Sequence, residues 1–243
     1  MICTYELTLR PALSEQPRLD WAYPLYANLL TKVPHTLGVW LHEQTAPPLS
    51  QFLRILPDGD ILWTVNLFRE NVTQALHLPL ETATTFRLFG RETATLMVVN
   101  VEKHSALCAD ALMEKAVRPR VGLLFETPTA FKTAGTYNIL PSTRLILQSA
   151  LLKWNAIFTD CPIDCDSGGL EAMAEGLHCR SMALQSQNYA FKGATIPGFT
   201  GVLVLENKLS GFHRTLTNAL LELTPYSGIG IKTTLGMGGV IIK

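Results

Sequence analysis

The last sixteen residues, Gly228–Lys243, read GIGIKTTLGMGGVIIK, and the residues after the glycines decide which folds are open to the chain. Five glycines around one lysine and two threonines suggest a nucleotide phosphate loop. That loop needs a glycine directly before its lysine and a helix directly after its hydroxyl residue, because the amino end of the helix holds the phosphates. Here Ile231 precedes Lys232, and Val240-Ile241-Ile242-Lys243 is a β-branched run that reads as a terminal strand. The dinucleotide-binding fingerprint fails in the same way, since it too opens a helix. What survives is local physics: glycines let the backbone approach a ligand and turn its N–H groups into a nest for oxyanions. Lys232, Thr233 and Thr234 add one charge and two hydroxyl donors, so phosphate is the expected ligand. The competing reading is a loop whose glycines only make turns. On the phosphate reading, alanine at Gly236 and Gly238 together weakens ligand binding far more than folding.

Outward from the loop, Phe212, Leu216, Leu220 and Leu223 recur at helical spacing. Val121–Glu126, Met182–Ala190 and Thr200–Leu205 read as strands, and Pro141-Ser142 opens a helix through Leu145, Leu152 and Trp154. The first half has the same order. Ile2–Arg10 alternates like a strand, and Asp20 stands as an N-cap before Trp21, Leu25, Leu29 and Val33, a helical series that ends at Pro34. Two β-like runs, Leu49–Leu56 and Asp60–Phe68, are joined by the turn Pro57-Asp58-Gly59. After them come a helix over Glu70–His77 and strands over Thr85–Phe89 and Thr95–Val101. The expected fold is α+β: two tandem ferredoxin-like (βαββαβ) units with a C-terminal glycine-rich loop. The expected domains are 1–110 and 118–243, with the linker near Ser105–Val117 and an insertion loop over Asp160–Gly169.

Composition narrows the function. The 243 residues carry 20 basic and 20 acidic side chains, so a polyanion has to be held by a local patch and not by the field of the whole molecule. Apolar content is 47%, yet no run approaches the roughly 20 residues of a membrane span. The strand-like start lacks the order of a signal peptide, which points to a soluble, cytoplasmic protein. Five cysteines fit reduced thiols. Cys161, Cys165, His178 and Cys179 make a loose zinc set, but an adjacent His–Cys pair is a poor second half, and the stretch reads as a loop with incidental thiols. No metal or cofactor is expected. His42, just past the apolar Val39-Trp40-Leu41, is the best-placed imidazole for acid–base chemistry, at an element end that reaches solvent; His35 is less anchored. A lone histidine of this kind is more often an ordinary surface residue.

The tandem order, the "LHE" at Leu41–Glu43, the "PTAFKTAGTY" at Pro128–Tyr137 and the terminal "GIGIKTTLGMGGV" together resemble the CRISPR-associated endoribonucleases that cut repeat RNA into guides. These belong to the repeat-associated mysterious protein superfamily, and the likeness spans the whole chain. The resemblance implies a metal-independent cut in which a histidine after the first helix drives attack of a ribose 2′-hydroxyl on the adjacent phosphate. It implies catalytic roles for His42, Tyr26 and a lysine. Lys32 is taken for that role, with Lys132 and Lys232 as alternatives, because Pro47-Pro48 stands where some members carry the lysine. It implies RNA contacts at Lys132, Lys192, Gly228, Gly230, Lys232, Thr233, Thr234, Gly236 and Gly238. The expected partner is CRISPR repeat RNA, with a multisubunit effector complex as a further one, for a monomer or homodimer. The alternative function is a non-cleaving RNA-binding subunit of such a complex.

Overall fold

The computed structural model describes residues 1–12, 16–44, 47–88, 94–115 and 118–243, and of His42 the backbone only. Two antiparallel sheets each cover one hydrophobic core. The first contains β1 (Ile2–Pro11), β2 (Leu49–Ile55), β3 (Ile61–Leu67), β4 (Thr85–Arg87) and β5 (Thr95–Leu107), in the order β2-β3-β1-β5-β4. Register sets Tyr5 opposite Val65 and Leu7 opposite Trp63. The period-2 alternation therefore sends Tyr5, Leu7, Leu9, Trp63 and Val65 to one face. Helices α1 (Ala22–Leu30) and α3 (Glu70–Thr82) close that face with Leu25, Leu29, Val72, Leu76 and Leu80.

The second sheet contains β6 (Arg120–Thr129), β9 (Leu177–Phe191), β10 (Ala194–Asn207) and β11 (Val240–Ile242), in the order β11-β6-β10-β9. A small hairpin, β7 (Phe131–Thr133) and β8 (Thr136–Asn138), comes directly after β6. Helices α5 (Thr143–Ile157) and α7 (Gly211–Ser227) bury Ile146, Ala150, Trp154, Leu220 and Leu223 on the sheet, around an edge-to-face Phe125–Phe199 pair at 4.8 Å.

Several sequence expectations are corrected. Asp20 is no N-cap: it lies in a 3₁₀ turn, Leu19–Trp21, and pairs with Arg18, while α1 starts without a side-chain cap. Residues 35–43 form a second helix, α2 (His35–Glu43), where the sequence suggests none. Its Leu37, Trp40 and Leu41 lie three and four residues apart and pack on the first core, which outweighs the cost of Gly38. Helix α3 continues past Pro79 because Leu80 is fully buried, and tertiary packing there overrides the proline. The expected linker is the end of β5 and then α4 (Ala109–Lys115), whose Leu112 belongs to the second core. The expected insertion loop ends at Asp166, whose carboxylate accepts from the Gly169 amide at 2.7 Å and caps α6 (Ser167–Glu175). The expected strand to Phe89 ends in part outside the described residues. No described helix is long and apolar enough to cross a membrane.

Candidate nucleic-acid interface

The glycine loop lies where the two sheets meet. Helix α7 ends at Gly228 and the chain re-enters the second sheet at Val240. Between them the loop is held from both sides. From the first sheet, the buried Gln51 amide donates to Ala22 O at 2.9 Å and Thr234 O at 3.0 Å, and its oxygen accepts from Trp63 Nε1 at 2.7 Å. The Thr234 hydroxyl donates to Leu49 O at 3.1 Å. From the second half, Ile231 N donates to Ala130 O, Gly238 N to Pro128 O, Gly239 N to Thr127 Oγ1 and Gly230 N to Ser149 Oγ, at 2.8–3.1 Å.

These bonds correct the reading of the loop as an open nest. The amides of Gly228, Gly230 and Gly238 already donate inside the protein, and the Thr234 hydroxyl is spent on Leu49. The glycines answer to packing. A Cβ at Gly238 would stand 2.0 Å from Ile229 O, and one at Gly236 would stand 2.3 Å from Ala22 Cβ and 2.6 Å from Tyr189 Oη. Both residues also hold left-handed φ, 70° and 99°. What the loop offers outward is Lys232 and Thr233, at the start of the 3₁₀ turn Thr233–Leu235; the amides of these two residues take no partner among the described residues.

Lys232 and Thr233 line a cavity of about 420 Å³ between the loop, Pro47, Pro48 and Phe68 of the first half, and Leu152, Lys153 and Ile157 of α5. Past Lys153 and Gly230 it continues into a second cavity of about 450 Å³, lined by Lys132, Thr133, Arg144, Gln148 and Ser149. Among the described residues, four basic side chains and no carboxylate line this groove. A neutral chain thus concentrates positive charge locally, as a polyanion requires.

Lys153 is a groove residue that the sequence reading does not single out. Its ammonium donates to Gly228 O at 2.9 Å, and burial pushes it down to about 7 although part of the side chain still reaches solvent. The available signal is one lysine inside the apolar helical run Ala150–Ile157.

The remaining expected residues separate. His42 stands in the last turn of α2, five residues before the groove's Pro47; its side chain lies outside the described residues. Tyr26 is only 3% exposed in the first core, and burial pushes its phenol up to about 12. Lys32 is exposed at the corner of α3 and β4, with its ammonium 5.5 Å from the Phe86 ring centre, and does not line the groove. Lys192 sits at the tip of the β9–β10 hairpin, and Lys132 lies 6.0 Å over Tyr137. Cys161, Cys165, His178 and Cys179 do not gather into a metal-holding group; among the described residues one set of three, Glu6, Glu102 and His104, does.

Two antiparallel sheets clasping a C-terminal glycine loop beside a basic groove define a mixed α/β fold shared with solved Cas6 structures. The chain superposes on a Cas6 product complex with a TM-score of 0.81 at 22% identity, over 100% of both chains. It superposes on Thermus thermophilus Cas6 with a TM-score of 0.76 at 23% identity, over 100% of this chain and 98% of that one. The family model for CRISPR-associated endoribonuclease Cas6 matches residues 123–240. A Streptococcus thermophilus CRISPR-associated endoribonuclease Cas6 is 27% identical over 94% of each chain. A Mycobacterium tuberculosis (strain CDC 1551 / Oshkosh) Cas6 is 27% identical over 90% of this chain and 70% of its own. The chain is therefore similar to named Cas6 endoribonucleases over nearly its whole length, with the family model confined to its second half.

Proposed function

We propose that this protein is a metal-independent endoribonuclease that cuts CRISPR repeat RNA into guide RNAs. The observation that carries the reading is the basic groove at the glycine loop, which no carboxylate lines among the described residues, on a chain similar over 94% of its length to a named Cas6 endoribonuclease. The reading takes the two sheets as tandem ferredoxin-like folds. In each, the fourth strand of a βαββαβ unit pairs beside the first, with the third and second beyond: β5-β1-β3-β2 and β11-β6-β10-β9. On this view the first domain covers residues 1–110 and the second 118–243, and α4, at the junction, packs on the second core through Leu112.

The chemistry needs little from the protein except proton transfer and charge. The 2′-oxygen attacks the adjacent phosphorus as its proton leaves, the bond to the 5′-oxygen breaks, and that oxygen takes a proton. The products are a 2′,3′-cyclic phosphate and a 5′-hydroxyl. Because the nucleophile belongs to the substrate, no metal-bound water has to be generated. His42 is assigned the proton transfer. The charge on the five-coordinate phosphorus is met from the groove by Lys232 and Lys153, in place of Lys32. Tyr26, enclosed in the core, is assigned to holding α1 and not to proton transfer. Lys132 and Lys192 are assigned phosphate contacts along the path of the RNA.

One cleavage gel tests this. The host's own repeat RNA is incubated with excess EDTA beside a copy carrying 2′-deoxyribose just upstream of the scissile phosphate. The ribose substrate is cut and the deoxy copy is bound but left intact; a cut deoxy copy means that water attacks, and the reading fails. On the same gel His42→Ala slows cleavage about 10²–10⁴-fold while retaining RNA affinity, and a variant within about threefold of the parent moves the assignment to His35.

A further inference from the structure

Tyr23 and Phe191 come from opposite halves of the chain, yet their ring centres lie 5.1 Å apart, edge to face. Tyr23 is in the first turn of α1, and Phe191 ends β9 at the hairpin tip. Two lysines converge on them. Lys192 Nζ is 5.4 Å from the Tyr23 ring centre and 5.6 Å from that of Phe191. Lys232 Nζ, from the glycine loop, is 4.6 Å from the Phe191 ring centre. Both lysines hold left-handed backbones, φ 49° and 56°, which non-glycine residues rarely adopt. Among the other described non-glycine residues Ala134 alone shares that property.

Both rings are half-buried, so each keeps part of its surface toward solvent. Tyr23 belongs to none of the three apolar clusters, so core formation does not account for it. Neither ring lines the groove that holds Lys153. A partly exposed aromatic pair flanked by lysines is the combination with which single strands are held: a base stacks on a ring, and the neighbouring phosphates meet the charges. Lys232 joins the two places, since its side chain lines the groove and also covers Phe191.

We propose that Tyr23 and Phe191 form a stacking platform for one unpaired nucleotide of the bound RNA, whose flanking phosphates are taken by Lys192 and Lys232. The proposal rests on the RNA-cleaving reading and adds to it a base-recognition point outside the groove. The base is read by its flat face, so the site tolerates any of the four.

The test couples the ring to the base. Repeat RNA from the host's own array is made with a single abasic residue at each position in turn and bound to the parent protein, Phe191→Leu and Phe191→Tyr. Leucine keeps apolar volume without a flat ring; tyrosine keeps both. Removing the stacked base from the parent complex weakens binding about tenfold, within the range known for one base on one aromatic ring. At that same position Phe191→Leu is insensitive to base removal, and Phe191→Tyr behaves as the parent. If ring and base penalties multiply at every position, no base stacks there and the proposal is overturned. Should Phe191→Leu melt well below the parent, Tyr23→Leu gives the same cycle from a residue outside the apolar clusters. A parent protein that binds no repeat RNA defeats the endoribonuclease reading itself. A parent that binds and cuts but lacks ring–base coupling defeats only the platform.

Discussion

The glycine loop and the β9–β10 hairpin tip are built from the same parts, glycines with left-handed φ beside a left-handed lysine whose ammonium lies over Phe191. They differ in what surrounds them. A Cβ at Gly228, Gly230, Gly236 or Gly238 would meet another atom at 2.0–2.7 Å, and at Gly230 and Gly238 that atom is a backbone oxygen. A Cβ at Gly193, in the hairpin tip, would meet nothing within 4 Å. The loop is glycine because there is no room; the tip is glycine because of its φ, 77°. One region is therefore the clasp between the sheets, and the other is a free arm that carries a charge.

The sharpest way to break this contrast is Gly238→Ala. Left-handed strain and a clash with a backbone oxygen act together, and neither relaxes cheaply in a loop bonded to both sheets. The expected cost is about 4 kcal/mol, the upper range for a point change, or roughly 10 °C of thermal midpoint for a chain of this size. Gly238→Asn does not rescue it, although asparagine tolerates left-handed φ, because the obstacle is space. A variant that melts within about 2 °C of the parent shows that the loop is not a clasp. RNA binding falls as a consequence of lost order, whereas an open nest would lose binding with folding intact.

Sequence and structure part company here for a physical reason. Glycine spacing reports that something approaches the backbone closely, and it is silent on whether that is a phosphate or the protein itself. Alternation in Ile2–Pro11 and the turn at Pro57-Asp58-Gly59 are local signals, so the strands are legible. Helices α2 and α6 are not, because Gly38 and the pair Gly168-Gly169 lower local propensity while burial of Leu41, Leu170 and Met173 restores it from afar. The lysine proposed to assist cleavage is legible as a residue type but not as a position. Lys32 and Lys153 differ in which side of the first and second cores they leave, and only tertiary packing decides that.

A smaller effect sharpens the same comparison through charge. Lys153 donates to Gly228 O at the point where the loop begins, in surroundings closed enough to bring its ammonium to about 7 from an ordinary 10.5. Below about 7 the folded and unfolded chains both carry this proton. Between there and about 10.5 the unfolded chain holds a proton that the folded chain has released, so stability rises with pH across that window. Lys153→Met removes the rise: the variant gains on the parent most in mildly acidic buffer, and the advantage closes toward high pH. Thermal midpoints of both proteins from mildly acidic to strongly alkaline buffer check this. Parallel profiles show that the ammonium is not confined by the loop.

The smallest expected effect comes from the tip. Gly193→Ala keeps its space and strains only φ, so the cost is about 1 kcal/mol, or roughly 2–4 °C. Gly193→Asn is expected to lie within about 0.5 kcal/mol of the parent, because asparagine enters the left-handed region readily and its side chain meets no neighbour. Asparagine therefore separates the two reasons for a glycine: it rescues where φ is the constraint, at residue 193, and fails where room is the constraint, at residue 238. The hairpin tip carries Lys192, so the asparagine variant also holds that ammonium over Tyr23 and Phe191 and leaves the salt dependence of RNA binding unchanged. If Gly193→Asn costs as much as Gly238→Asn, the tip is as confined as the loop, and the distinction between clasp and arm disappears.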